Sequence, residues 1–209
     1  MKLYTYFRSS AAYRVRIALN LKGLAYDAVP VHLLKEGGQQ LKPEYRAINP
    51  AALIPALEDE GAVVTQSLAI IEYLDETHRE VPLMPADPLG RARVRSLALD
   101  VACDIHPLGN LRVLKYLVHQ LKVDDEAKVE WSRHWIGEGF AALEAMLAGS
   151  PATGRFCHGD TPTLADCCLV PQVFNALRFE VDMARFPTIA RIHAACSELD
   201  AFSAAHPSK

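Results

Sequence analysis

The chain has 209 residues, half of them apolar, and 22 Lys and Arg against 25 Asp and Glu give a formal net charge of −3. This apolar content supports a packed core and excludes general disorder. A weakly acidic chain has no overall attraction to phosphate backbones, so we expect no nucleic-acid partner. No run of about 18 apolar residues predicts a membrane span. Five irregularly spaced cysteines and the lack of an apolar N-terminal leader predict a reduced, cytoplasmic protein.

The first part of the chain alternates between strand and helix signals. Short alternating or β-branched runs predict strands, and apolar residues three to four apart predict helices. A strand–helix–strand unit of this length indicates a parallel strand pair. Pro55 interrupts the apolar run at 53–57, which places a third strand at a sheet edge or marks an unusual peptide bond. The predicted strands are 2–7, 26–34 and 62–65, and the predicted helices are 11–22 and 68–74, with Ser67 as a cap for the second.

The strand signal disappears after about residue 80, where three closely spaced prolines mark a linker at 82–88. A three-to-four residue apolar spacing then predicts a long helix over 89–121, kinked at Pro107. Further helices are predicted at 126–147 and 186–199, and Thr163 with Asp166 fits a capping box before the apolar run at 167–173. We therefore predict an α/β domain at 1–81 and an all-α domain at 89–209.

An α/β half with a proline breaking its third strand, followed by an all-helical half, resembles the cytosolic glutathione transferases, specifically their zeta class, which includes maleylacetoacetate isomerases. The resemblance covers nearly the whole chain. An Arg-Ser-Ser string and an Arg-Val-Arg-Ile-Ala-Leu string carry it most narrowly, whereas the Ile-Pro and Gln-Ser pieces suit any member of the superfamily. The matching segments are 6–10, 14–19, 49–50, 54–55, 66–74, 159–160, 164–166 and 169–172.

This resemblance implies a thioredoxin-like first domain, an all-helical second domain, glutathione as cofactor and a homodimer. It also implies cis–trans isomerisation of maleylacetoacetate by reversible addition of the glutathione thiolate. The substrate would be a small dicarboxylate with a conjugated enedione. Maleylpyruvate, which shares the enedione core, is an alternative substrate. A general glutathione-conjugating transferase and a non-catalytic scaffold on the same fold are rival interpretations.

Ser9 and Ser10 follow the first predicted strand and precede a helix. A helix N-terminus presents unpaired N–H groups and a partial positive charge, which favour a thiolate over a thiol. On the residues alone, helix capping is the commoner role for such a serine. The resemblance implies instead that Ser9 donates a hydrogen bond to the glutathione thiolate, with Ser10 beside it as a second catalytic residue. Ala11 departs from the cysteine common in the class, which argues against side activities that depend on that cysteine, such as attack on haloacids.

The resemblance assigns a tripeptide site to five further residues of the first domain. Pro55 would follow a cis peptide bond, so that the backbone of Ile54 can pair with a bound peptide. An ordinary edge-strand proline is the alternative from sequence alone. Gln66 and Ser67 open a helix, where N–H groups and a hydroxyl can hold the γ-glutamyl carboxylate. Gln40 matches a family residue that contacts glutathione.

Arginines and one polar pair define the predicted substrate site. Arg8, beside Ser9, can bind a carboxylate or stabilise a developing enolate, and the resemblance assigns carboxylate binding to Arg178. Arg112 is a further candidate, although a solvated surface arginine is the commoner case. His106 and Asn110, four residues apart and expected on one helix face, are implied to contact glutathione, and His106 also the substrate.

One competing pattern is a metal site. Cys103 and His106 stand three apart on the predicted long helix, which is a possible ligand spacing. A closed zinc site needs about four ligands, and no further pair is apparent nearby. We therefore expect no metal.

Overall fold

The computed structural model describes residues 1–208, and its chain divides into two units. The first combines residues 1–83 with the C-terminal residues from Glu198 onward, and the second spans residues 84–197. No helix in residues 1–208 has both the length and the apolar character that crossing a bilayer requires.

The first unit is built on one mixed four-stranded sheet. Its strands are β1 (Lys2–Thr5), β2 (Asp27–Pro30), β3 (Ala56–Asp59) and β4 (Ala62–Thr65), in the spatial order β2-β1-β3-β4. β1 pairs in parallel with β2, β1 pairs antiparallel with β3, and β3 and β4 form an antiparallel pair. The parallel pairing predicted from the sequence is confirmed, although β1 and β2 are shorter than the predicted 2–7 and 26–34.

Helices occupy most of the remaining chain, and α1 contributes a fully buried apolar face to the first unit. Its residues Val15, Ile17, Ala18 and Leu19 are fully buried, and α1 packs against the third and the last helix. The helices are α1 (Ser10–Leu21), α2 (Pro43–Ile48), α3 (Ser67–Thr77), α4 (Pro88–Leu99), α5 (Leu111–His119), α6 (Asp125–Ala148), α7 (Leu164–Arg178), α8 (Pro187–Ser197) and α9 (Asp200–Ala204).

The prediction of one continuous helix over 89–121 is wrong. α4 ends at Leu99 and is followed by a π-helical turn (Asp100–Ile105) and a 3-10 turn (His106–Gly109). Asn110 then has φ −65° and ψ 143°, an extended conformation that ends the run before α5 begins. Proline at 107 lacks the amide hydrogen that a continuing helix needs, so the chain breaks into segments rather than kinking.

The predicted capping box before α7 is confirmed. Asp166 is fully buried, and its carboxylate accepts hydrogen bonds from Cys157 N (2.9 Å), Thr163 N (2.8 Å) and Thr163 Oγ1 (2.9 Å). Burial raises the pKa of Asp166, and these hydrogen bonds oppose the rise because they stabilise the charged form. One carboxylate therefore takes part in capping the N-terminus of α7 and also holds the loop at Cys157.

The C-terminal segment lies with the first unit, whereas the sequence predicted a helical domain running to residue 209. Two side chains of α1 hold it: Asn20 Nδ2 donates to the carbonyl of Ala201 (2.9 Å), and Arg16 donates to that of Ala205. Phe202 of α9 is buried. The first unit is thus a thioredoxin-like α/β fold with a C-terminal helix on α1, and the second unit is all-helical, as predicted.

Candidate active site

Four connections leave the same end of the sheet in the first unit. β1 and β2 run in parallel and end as a pair at Thr5 and Pro30. β3 runs the opposite way and begins at Ala56, opposite Tyr4, while β4 returns and ends at Thr65, opposite Ala56. The chain segments that adjoin these four positions are therefore all attached at this end of the sheet. These segments carry most of the predicted site residues: Ser9, Gln40, Ile54, Pro55, Gln66 and Ser67.

Ser9 is the N-cap of α1. Its Oγ accepts a hydrogen bond from Ala12 N (3.2 Å), and its own N–H donates to the carbonyl of Tyr6 (2.9 Å). The cap bond uses a lone pair of Oγ, so the hydroxyl hydrogen remains able to donate. The first turn of α1 contains no acidic residue to offset its partial positive charge, and Ser10 lies buried as the first helical residue. Capping and thiolate binding are thus compatible roles for Ser9.

Arg8 precedes this cap on the exposed turn after β1. Its guanidinium lies 5.3 Å from the ring centroid of Phe7, which is 47% exposed. Such a cation–aromatic contact limits the directions that the side chain samples. Arg8 is itself exposed and so is accessible to a soluble anion.

Gln40 brings an acceptor into the interior of the first unit. It is 8% exposed, and its Oε1 has no hydrogen-bond partner in the part of the chain that the structure describes. A buried amide oxygen without a donor costs free energy, so this atom is suited to a ligand that supplies an N–H or O–H group. Gly38 makes room for Gln40, because a Cβ at its φ of 113° would lie 2.8 Å from Gln40 Nε2.

The peptide bond between Ile54 and Pro55 is cis, as the family resemblance implied. The carbonyl of Leu53 just before it accepts hydrogen bonds from Tyr45 Oη (2.7 Å) and Asn49 Nδ2 (2.7 Å). The side chain of Ile54 is buried in a cluster with Tyr45. Helix α2 and the turn after it thereby fix the backbone that leads into β3.

The start of α3 differs from the prediction, because Ser67 is not its cap. Gln66 holds the N-cap position with φ 71° and ψ 119°, and its exposed side chain makes no capping bond. Ser67 is the first helical residue, is buried, and accepts a hydrogen bond through Oγ from Arg14 Nη1 (3.2 Å). Arg14, itself 2% exposed, is a site neighbour that the prediction missed. A cation between apolar helix positions was the available signal for it.

The predicted site residues of the second unit have separate local environments. His106 lies in the 3-10 turn and Asn110 at the extended residue before α5, so they do not share a helix face. The Asn110 side chain caps α5 by accepting from Arg112 N (3.1 Å). The Arg112 side chain is exposed, and Arg178 ends α7 with its guanidinium 5.2 Å from the Phe179 ring. Their predicted binding roles remain predictions.

No metal-binding group was found in residues 1–208, where no three His, Cys, Asp or Glu side chains are suitably clustered. Cys103 lies exposed in the π-helical turn, one segment before His106. None of the five cysteines, all within the described residues, forms a disulfide, and four of them are buried.

Comparison with known proteins identifies the family and the fold. Residues 3–82 match the glutathione S-transferase N-terminal domain family, and residues 136–208 match the C-terminal domain family. Maleylacetoacetate isomerase from Rhizobium meliloti is 53% identical over 207 residues, covering 99% of this chain and 96% of that protein.

Two solved structures are similar over nearly their full length. A holo maleylpyruvate isomerase, described as a bacterial zeta-class glutathione transferase, is 53% identical with a TM-score of 0.95, covering 100% of this chain and 97% of that one. Maleylacetoacetate isomerase from Methylobacterium extorquens AM1, with bound malonate and glutathione, is 46% identical with a TM-score of 0.95, covering 99% and 96%. The chain described here therefore belongs to the glutathione transferase family and to its zeta class.

Proposed function

We propose that this protein catalyses the glutathione-dependent cis–trans isomerisation of maleylacetoacetate to fumarylacetoacetate, a step of tyrosine and other aromatic amino acid breakdown. The observation that carries the proposal is the position of the N-cap hydroxyl of Ser9. The turn that carries Ser9 leaves the same end of the sheet as the Gln40 loop, the cis Ile54–Pro55 bond and the connection to α3. Full-length relatives with this activity in their names support it.

The residues at this end of the sheet fit glutathione, which is a tripeptide with two carboxylates, two amides and a thiol. The buried Gln40 Oε1 is an acceptor suited to one of its N–H donors. Gln66 and Ser67, at the start of α3, would hold the γ-glutamyl carboxylate, because the first N–H groups of a helix attract anions. The backbone of Ile54 would pair with the peptide, as an added strand does.

When bound, glutathione supplies a thiolate nucleophile that adds reversibly to the substrate double bond. Ser9 keeps that sulfur charged, because its hydroxyl can donate one hydrogen bond while still capping α1. The positive end of α1 acts in the same direction, since its first turn holds no acidic residue. Ser10 is placed beside it as the first helical residue.

Arginines bind the two carboxylates of the substrate and oppose the negative charge that develops during the reaction. Arg8 serves this role next to Ser9, and Arg178 and Arg112 are the candidates from the second unit, each with an exposed side chain. His106 contributes to substrate and glutathione binding, and Asn110 to glutathione binding. A general conjugating transferase has no need of paired carboxylate-binding arginines.

Isomerisation of maleylacetone, measured with and without glutathione, tests the proposal. We expect an absorbance change only when glutathione is present and no net loss of glutathione. Consumption of glutathione with a chlorinated aromatic, and no turnover of maleylacetone, would support the conjugating transferase instead. Inertness toward both substrates would contradict the proposal and favour a scaffold role.

Maleylpyruvate is the second candidate substrate, because a relative of 53% identity carries that name. The ratio of kcat/KM for maleylacetoacetate and maleylpyruvate decides between the two. We further propose that the protein is a homodimer, as the family resemblance implies, and that it is cytoplasmic, as its cysteine pattern predicts. Sedimentation velocity over a range of concentrations tests the dimer, and fractionation of the native host tests the location.

A further inference from the structure

Arg16 lies on α1, and its guanidinium makes five hydrogen bonds to two separate segments of the first unit. Its Nε donates to the carbonyl of Ala205 (3.2 Å), and its Nη2 donates to the same carbonyl (3.1 Å) and to that of Phe7 (3.1 Å). Its Nη1 donates to Thr5 Oγ1 (3.1 Å) and to the carbonyl of Tyr6 (3.4 Å). A guanidinium has five N–H donors, and all five are used.

Three of these acceptors belong to the segment that leads from β1 to Ser9. The carbonyl of Tyr6 also accepts the N–H of Ser9 (2.9 Å), so Arg16 and Ser9 share one acceptor atom. Arg16 therefore holds the strand end at Thr5, Tyr6 and Phe7 while α1, on which it lies, carries the cap. The direction in which the Ser9 hydroxyl points depends on both.

The other two bonds join this turn to the C-terminal segment. Ala205 is buried and follows α9, so its carbonyl is brought to Arg16 by the docking of that helix on α1. The guanidinium also lies 5.4 Å from the ring centroid of Tyr13. The residue is thus fixed from three sides, which a single acceptor would not achieve.

A ligand-binding role for Arg16 is disfavoured by the same bonds. The residue lines a cavity of about 380 Å³ together with Tyr6, Phe7, His32 and residues 204–207. A bound anion would need N–H donors, and those of Arg16 are already committed to backbone carbonyls and Thr5. The charge serves to tighten the protein's own hydrogen bonds.

We propose that Arg16 is a positioning residue, which uses the Ala205 carbonyl as an anchor to hold the Tyr6–Ser9 turn so that the Ser9 hydroxyl meets the glutathione sulfur. This inference rests on the proposed function, in which Ser9 stabilises a thiolate. According to this inference, the C-terminal segment affects the ionisation of the thiol indirectly, through the hydrogen bonds between the Ala205 carbonyl and Arg16. Arg16 donates none of these five hydrogen bonds to Gln40, Ile54 or Ser67, the residues proposed to contact the tripeptide.

The test measures two quantities on each variant: the pKa of bound glutathione from thiolate absorbance, and the Kd of S-methylglutathione, whose thioether cannot ionise. For Arg16→Gln we expect the pKa of the bound thiol to rise by about one unit. The variant would then hold about tenfold less thiolate than the unmodified protein at any pH below the parent pKa. The Kd of S-methylglutathione stays unchanged, because its binding contacts are intact. Arg16→Lys, with three donors in place of five, gives a smaller rise.

Two further variants separate turn positioning from docking of the C-terminus. Asn20→Ala is the matched control, because Asn20 holds Ala201 of the same segment but does not touch the turn. We expect it to leave both quantities unchanged. Deletion of residues 205–209 removes the anchor carbonyl and raises the thiol pKa by less than Arg16→Gln does, since three bonds to the strand end remain.

The outcomes distinguish failure of this inference from failure of the proposed function. If glutathione bound to the unmodified protein ionises no more readily than free glutathione does, the proposed function is wrong. If the bound thiol pKa is lowered and Arg16→Gln leaves it unchanged, the positioning role is wrong. An equal shift in Asn20→Ala would also overturn it. Should Arg16→Gln fail to fold, Arg16→Lys and the deletion decide, and an unshifted pKa in both contradicts the proposal.

Discussion

Arg14 Nη1 donates a hydrogen bond to Ser67 Oγ over 3.2 Å, and both side chains are buried. The bond joins the middle of α1 to the first residue of α3. A buried guanidinium thereby lies directly behind the helix start to which we assign the γ-glutamyl carboxylate. The cation and the N-terminal N–H groups favour an anion at the same place, because both present positive charge.

Replacing Ser67 by Ala should weaken glutathione binding through loss of this hydroxyl. A hydrogen bond to a charged group contributes about 1.5–3 kcal/mol, so we expect the Kd of glutathione to rise at least about tenfold. Isothermal titration calorimetry measures it. The matched ligand is a glutathione analogue without the γ-glutamyl α-carboxylate, whose affinity the substitution should leave nearly unchanged. Equal losses for both ligands would contradict the carboxylate assignment.

Two substitutions at Ser9 separate its structural role from its chemical one. Ser9→Ala and Ser9→Gly both remove the hydroxyl, and we expect the same rise in the bound thiol pKa and the same fall in kcat. Their stabilities should differ: at an N-cap, Ala costs about 1 kcal/mol and Gly only a few tenths. Thiolate absorbance and chemical denaturation measure the two effects. If Ser9→Gly keeps the parent kcat, Ser9 is only a cap.

The buried capping box at α7 should contribute more stability than an exposed N-cap. Asp166→Ala leaves Cys157 N and two groups of Thr163 without their acceptor, and each buried unsatisfied donor costs about 1–3 kcal/mol. Asp124→Ala is the control, because Asp124 caps α6 with one exposed bond to Ala127 N (2.8 Å). It should cost about 1 kcal/mol. Urea denaturation compares them, and similar losses would refute the distinction.

The loss of folding stability at acidic pH should depend on Glu58. Lys2 Nζ and Tyr4 Oη each donate to its carboxylate (2.9 Å), and the hydrogen bond from Lys2 is the main cause of its lowered pKa. A carboxylate with a lowered pKa binds fewer protons when folded. Its stabilising effect is therefore complete above the unfolded pKa of about 4.3 and is lost as pH falls through the folded value.

Glu58→Gln should accordingly flatten the dependence of unfolding free energy on pH below about 4.3. Lys2→Met should do the same in part, because it removes the main donor and leaves Tyr4. Denaturation at a series of acidic pH values measures both. An unchanged slope in Glu58→Gln would show that the hydrogen bonds seen between β1 and β3 do not affect its titration.

Local signals in the sequence were sufficient for much of the fold. The alternating run at β1 and the apolar spacing of α1 predicted a parallel βαβ unit, and Thr163 with Asp166 predicted the start of α7. The cis bond before Pro55 came from the family resemblance. Each of these depends on residues within one element or on a recognised short motif.

Features set by distant residues were not predictable in the same way. Apolar spacing runs through Pro107, because residues on both sides of the break still face a core, so it did not reveal where the helix ends. Arg14 and Arg16 resemble solvated charges until tertiary structure brings Ser67 and Ala205 to them. Arg16 and Ala205 are 189 residues apart, and no local pattern encodes such a pair.

The loop that carries Gln40 depends on the imidazole of His32. Its Nδ1 accepts hydrogen bonds from Leu34 N (3.2 Å) and Lys35 N (3.0 Å), while its backbone N–H donates to Gln39 Oε1 (2.8 Å) and its carbonyl accepts from Gln39 N (2.9 Å). The side chain thus acts as an acceptor for N–H groups two and three residues ahead, as Asn does in an Asx turn.

His32→Ala should therefore loosen the loop and weaken glutathione binding, whereas His32→Asn should preserve both, because its Oδ1 can accept the same two N–H groups. We expect faster amide hydrogen exchange at residues 34–40 in the Ala variant and a Kd raised several-fold, since lost turn bonds contribute about 1 kcal/mol. Calorimetry and exchange mass spectrometry measure these changes. If Asn weakens binding as much as Ala does, the ring itself, through its contact with Tyr6 (4.9 Å between centroids), is what holds the loop.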